Sequence, residues 1–140
     1  MRTSRPILLV EDDNVDAMTV KRALKDLKIS NEMVHQLNGE EAIKHLRNDG
    51  NHKPCVILLD LNMPKMNGIE FLKVVKTDPE LRQIPVVVLT TSKEERDKVE
   101  SFQLSAAGYI IKPTDYRKFV DVIRTLDLYW TLSELPFGGA

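Results

Sequence analysis

Val56-Ile57-Leu58-Leu59-Asp60-Leu61-Asn62-Met63-Pro64-Lys65-Met66-Asn67-Gly68 lies near the middle of a 140-residue chain. The opening run, Val56 to Leu59, is unbroken and apolar, as in a strand covered by helices on both faces. An acid, Asp60, follows at once. Met63-Pro64 then ends the strand, and Gly68 permits tight backbone geometry near the next helix. Three more runs have the same form. Ile7-Leu8-Leu9-Val10 ends in Glu11-Asp12, Val86-Val87-Val88-Leu89 ends in Thr90, and Tyr109-Ile110-Ile111 ends in Lys112-Pro113.

Between these runs lie longer segments of helical period, so the chain reads as repeated βα units. Strands are predicted near 6–11, 32–37, 55–60, 84–90 and 107–112, and helices near 14–28, 39–48, 67–77, 93–105 and 115–128. Asn38 with Glu41, and Ser92 with Glu95, have capping-box spacing for the second and fourth helices. Gly108 stands where a helix is often left through a left-handed turn. Pro79 and Pro85 exclude helix from the connection into the fourth strand. The second run, Glu32 to Leu37, is more polar and suits an edge strand. The first and third strands then share the centre, giving an α/β, doubly wound parallel sheet with strand order 2-1-3-4-5. Ligand sites in such sheets lie at the carboxyl ends of the strands, where strand order reverses.

Composition narrows the function. Twenty basic residues face twenty-one acidic ones, with no block of like charge, which gives no support for nucleic-acid or membrane-surface binding. A single cysteine, Cys55, excludes an intramolecular disulfide and a cysteine zinc cluster, and its apolar setting suits the core. No long apolar span or N-terminal signal region is present, so a soluble, cytoplasmic protein is expected. His35, His45 and His52 form no metal or nucleophile pattern and read as structural or surface residues.

The polar strand ends carry the chemistry. Glu11, Asp12 and Asp60 held together repel, and a hard divalent cation removes that cost; Mg²⁺ suits the site, with Mn²⁺ as a substitute. Asp60 can act as a nucleophile toward phosphorus, Lys112 supplies compact positive charge, and Thr90 can donate a hydrogen bond to a phosphoryl oxygen.

Glu11-Asp12, Asp60 to Gly68 with its Asp-x-x-Met-Pro-x-x-x-Gly spacing, Leu89-Thr90 and Lys112-Pro113 together resemble the receiver domain of two-component response regulators. The resemblance spans about residues 6–128 and implies a flavodoxin-like (βα)5 fold. It implies that Asp60 takes a phosphoryl group from a sensor histidine kinase. Asp12 would ligate the metal directly, Glu11 through water, and Asn62 through its backbone carbonyl. Lys112-Pro113 would be a cis peptide, and Thr90 with Tyr109 would form the switch that reports phosphorylation. Thr91 departs from the smaller residue usual there and could narrow access to the phosphate. Asn62 and Ser92 are uncharged, so no strong built-in base for hydrolysis is expected.

Residues 1–128 are expected to form the receiver and 129–140 a short C-terminal extension, with no separate output domain. Output would then be a protein contact with a downstream phosphotransfer or effector protein. The aromatic tail Tyr129-Trp130 to Glu134-Leu135-Pro136 resembles stand-alone receivers paired with phytochrome-type kinases, which implies a homodimer through the last helix and tail. The protein is not expected to be an enzyme beyond its own phosphorylation and dephosphorylation. A haloacid-dehalogenase-type phosphatase would carry its nucleophile after the first strand and an acid where Asn62 stands. A docking-only pseudo-receiver would not keep the full polar set, and a flavodoxin would need a phosphate loop after its first strand.

Overall fold

A computed structural model describes residues 4–61, 66–90, 93–101, 106, 108–111 and 115–132. Five strands, β1 (Ile7–Val10), β2 (Met33–Gln36), β3 (Val56–Asp60), β4 (Val86–Thr90) and β5 (Gly108–Ile111), alternate with five helices. These are α1 (Asn14–Asp26), α2 (Gly39–Arg47), α3 (Gly68–Thr77), α4 (Lys93–Ser101) and α5 (Tyr116–Leu132). The strands form one parallel sheet in the order β2-β1-β3-β4-β5, as expected from the polar character of the second run.

The apolar runs are two-sided because helices cover both faces. On one face Leu8, Val10, Ile57, Leu59, Val86 and Val88 pack with Ala42 and Leu46 of α2, Phe71 and Leu72 of α3, and Val99 of α4. On the other, Ile7, Leu9, Val56, Leu58, Val87 and Leu89 meet Ala17, Val20 and Leu24 of α1 and Phe119 and Ile123 of α5. Cys55 is buried on this second side, in keeping with a core role. Tyr116 at the start of α5 donates to Asp26 Oδ2 at 2.6 Å and lies under the Arg22 guanidinium, clasping α5 to α1.

Helix ends follow local chemistry with three differences from expectation. Asn38 Oδ1 accepts the Glu41 N–H at 3.0 Å, but the Glu41 carboxylate lies 3.6 Å from Lys44 Nζ. The full reciprocal capping box belongs to α3, where Asn67 and Glu70 exchange bonds of 3.0 and 3.1 Å. Gly108 is not a left-handed exit; it is the first residue of β5, paired with Val87, because the ladder claims it. The last helix continues to Leu132, past the expected end at 128. Ser92, the expected cap of α4, lies outside the described residues.

Asp78 ends α3 and leads into the 3-10 turn Leu81–Gln83; its Oδ1 accepts the N–H groups of Glu80 at 2.9 Å and Leu81 at 3.1 Å. Those two bonds, with Arg47 nearby, hold its carboxyl below the usual carboxylate range. A depressed folded pKa contributes stability above the unfolded value, and this is lost as pH falls through the folded one. Asp78→Ala is therefore expected to cost about 1 kcal/mol at neutral pH. Urea melts at neutral pH and at pH values below the ordinary carboxyl range should show the wild-type advantage shrinking with acid. An equal difference at every pH would refute this.

Candidate phosphoacceptor and metal site

The sheet order decides the site. β1 and β3 are neighbours with Val10 registered on Leu59, so Glu11, just after β1, and Asp60, the last residue of β3, lie side by side at one edge. Asp60 registers with Leu89, and Thr90 with Ile111, so the polar ends of β1, β3 and β4 emerge on the same side, next to the end of β5. Glu11 and Asp60 are buried, at 1% and 4% exposure, while Asp12 is exposed. One carboxylate oxygen from each of the three lies within 4.8 Å of the others. Burying two carboxylates this close is costly unless a cation compensates, so the donor set fits a hard divalent ion. Glu11 Oε2 is buried and takes no hydrogen bond from the described residues, while the residue as a whole does have an interaction partner.

The loop that carries Glu11 and Asp12 is held at both ends. The Glu11 N–H bonds the Gln36 carbonyl at 3.0 Å. Asp13 caps α1 by accepting from Val15 N at 2.7 Å and Asp16 N at 3.2 Å. His35, expected to be structural or surface, places Nε2 2.6 Å from the Glu11 carbonyl. Nothing in the sequence singles it out, because the contact depends on β2 lying beside β1.

The loop after Asp60 is set by close backbone approach. Leu61 O accepts the Gly68 N–H at 3.0 Å. A Cβ on Gly68 would stand 2.5 Å from Leu61 Cα and 2.7 Å from the Asp60 carbonyl oxygen, so only glycine lets α3 begin there. Met66 takes a left-handed φ of 58°, and a Cβ on Gly39 would stand 2.7 Å from its carbonyl, so α2 presses on the same loop.

Tyr109 is half-buried at the edge of the core that carries α2, α3 and α4. The backbone puts Thr90 at the end of β4, but its side chain lies outside the described residues. Asn62, Lys112 and the Lys112-Pro113 peptide also lie outside them.

The model of the response regulator receiver domain matches residues 7–124, most of the chain. The chain belongs to that family. Phosphoryl acceptance from a histidine kinase is the family role, and a two-component partner kinase follows from it. This receiver is similar to the response regulator Rcp1 of Synechocystis sp., with 37% identity over 89% of this chain and 87% of the relative. The crystal structure of the Mn(2+)-bound form of Rcp1 superposes at a TM-score of 0.81 with 35% identity, covering 94% of this chain and 99% of that one. The phosphorylated cyanobacterial phytochrome response regulator RcpA gives 0.83 at 36% identity, covering 96% and 99%. The bacteriophytochrome response regulator RtBRR gives 0.78 at 41%, covering 94% and 83%. Among the described residues of the receiver no helix is long and apolar enough to cross a membrane.

Proposed function

We propose that the chain is a single-domain response regulator that accepts a phosphoryl group on Asp60. The observation that carries this reading is the meeting of Glu11, Asp12 and Asp60 carboxylates within 4.8 Å at one sheet edge. An Asp60 carboxylate oxygen attacks the phosphorus of a kinase phosphohistidine; the new P–O bond forms as the P–N bond breaks, and the imidazole leaves. Glu11, Asp12, Asp60 and the backbone carbonyl of Asn62 would hold Mg²⁺ or Mn²⁺. The bound ion supplies positive charge to the phosphoryl oxygens, whose charge spreads in the transition state. Lys112 shares that neutralisation. Thr90 donates a hydrogen bond to the new phosphoryl group, and Tyr109 repacks behind it, a shift between two packings of one core edge. The acyl phosphate is later lost to water, so the chain turns over only its own phosphate.

Residues 1–128 form the receiver unit and 129–140 its extension, with output through protein contacts to a phosphotransfer or effector protein. The kinase is of phytochrome type, a reading supported by the likeness to RcpA and RtBRR. The work is done in the cytoplasm. α1 leaves Val15 and Met18 exposed beside the acidic loop, an apolar face suited to a protein partner. The homodimer reading rests on α5 running to Leu132 with Val122 exposed. Light scattering on a chain truncated after Asp127 should report a monomer; an unchanged mass would sink the dimer.

Phosphotransfer profiling against the host's histidine kinases tests the function. One or a few kinases should label the chain within seconds to minutes, with labelling removed by EDTA and restored by Mg²⁺. Absence of transfer from every kinase, together with no labelling by acetyl phosphate, would overturn the reading.

A further inference from the structure

We propose that His35 is a positioning residue that aims Asp12 at the metal. A carbonyl oxygen only accepts, so the 2.6 Å contact between His35 Nε2 and the Glu11 carbonyl requires the proton on Nε2. Continuing the parallel ladder past the Glu11 N–H bond to Gln36 would bring the Asn38 N–H to this carbonyl. β2 ends at Gln36 and the chain turns into α2 through Asn38, so the side chain of the preceding strand residue meets the carbonyl. The Glu11 carbonyl and the Asp12 N–H belong to one planar peptide. A ring that fixes the carbonyl therefore fixes the direction in which the chain enters Asp12.

The other ends of this segment are held as well. The Glu11 N–H is tied to Gln36, and Asp13 is committed to capping α1. Asp12 lies between them and is exposed, so packing does not orient it. Among the described residues the peptide plane ahead of it is the remaining handle, and His35 holds that plane. Partners one step removed from a metal commonly change its affinity by about 10–100-fold when removed.

The inference rests on Glu11 and Asp12 being metal ligands, and the test separates the two claims. Mn²⁺ binding to the full chain is followed by electron paramagnetic resonance for wild type, Asp12→Asn, His35→Phe and His35→Gln. The phenylalanine keeps ring volume without a donor; the glutamine amide carries a donor at similar reach. His35→Phe should weaken Mn²⁺ about tenfold or more, and His35→Gln should recover most of that loss. Nitrogen NMR of the metal-free chain should show the Nε2–H tautomer. If Asp12→Asn binds Mn²⁺ as wild type does, the ligand assignment fails. If Asp12→Asn loses Mn²⁺ while His35→Phe keeps wild-type affinity, only the role of His35 fails. Melting in EDTA identifies a packing role: Mn²⁺ losses that merely track lost metal-free stability would also overturn the proposal.

Discussion

Asp60→Asn is expected to reduce phosphoryl labelling by at least about a thousandfold, because the amide removes the nucleophile while keeping the side-chain shape. Asp60 ends a central strand at 4% exposure, with Glu11 and Asp12 as its acidic neighbours. The variant removes one of three mutually repelling charges, so its metal-free thermal midpoint should be no lower than that of the wild type. A folded protein that cannot be labelled separates lost chemistry from lost structure. Persistent alkali-labile label on Asp60→Asn, at Asp12 or elsewhere, would defeat the assignment of the acceptor.

Gly68→Ala should destabilise the chain by about 3 kcal/mol or more, near the upper end for overpacking. The sign is informative because alanine is the better helix former by about 1 kcal/mol, so propensity alone predicts stabilisation. Here the added Cβ would lie 2.5 Å from Leu61 Cα and 2.7 Å from the Asp60 carbonyl oxygen. Both are backbone atoms at the end of the strand that carries the acceptor, so neither can swing aside. Relief requires α3 to move off the end of β3, which also displaces the loop after Asp60. Urea denaturation should therefore show lost stability and Mn²⁺ titration should show lost affinity. Unchanged or raised stability would mean that the approach of α3 to β3 is looser than described.

Much of this site was legible before any folding was considered, for a definite reason. A parallel strand buried on both faces must be apolar along its length, so its first polar residue marks the edge where a ligand can be met. That logic singled out Glu11, Asp12 and Asp60, whose carboxylates meet in the fold, proposed Thr90 and Lys112 beside them, and sent the polar second run to the sheet edge. Local signals were less dependable where two roles competed for one residue. Gly108 could have left a helix but serves a ladder, and Glu41 could have closed a capping box but lies nearer Lys44. Asn67 and Glu70 had the same spacing and formed the complete box.

By itself the sequence determined the strands, their parallel order and the acids at their ends, because those depend on residue type and period along the chain. Only the tertiary structure decided which atoms hold those acids in place. The His35 ring reaches the Glu11 carbonyl because β2 lies beside β1, 24 residues away in the chain. Gly68 is needed because α3 starts against the backbone of Asp60 and Leu61, and Gly39 because α2 presses on Met66. Contacts of this kind depend on distances between separate elements, and the period of a sequence carries no information about such distances.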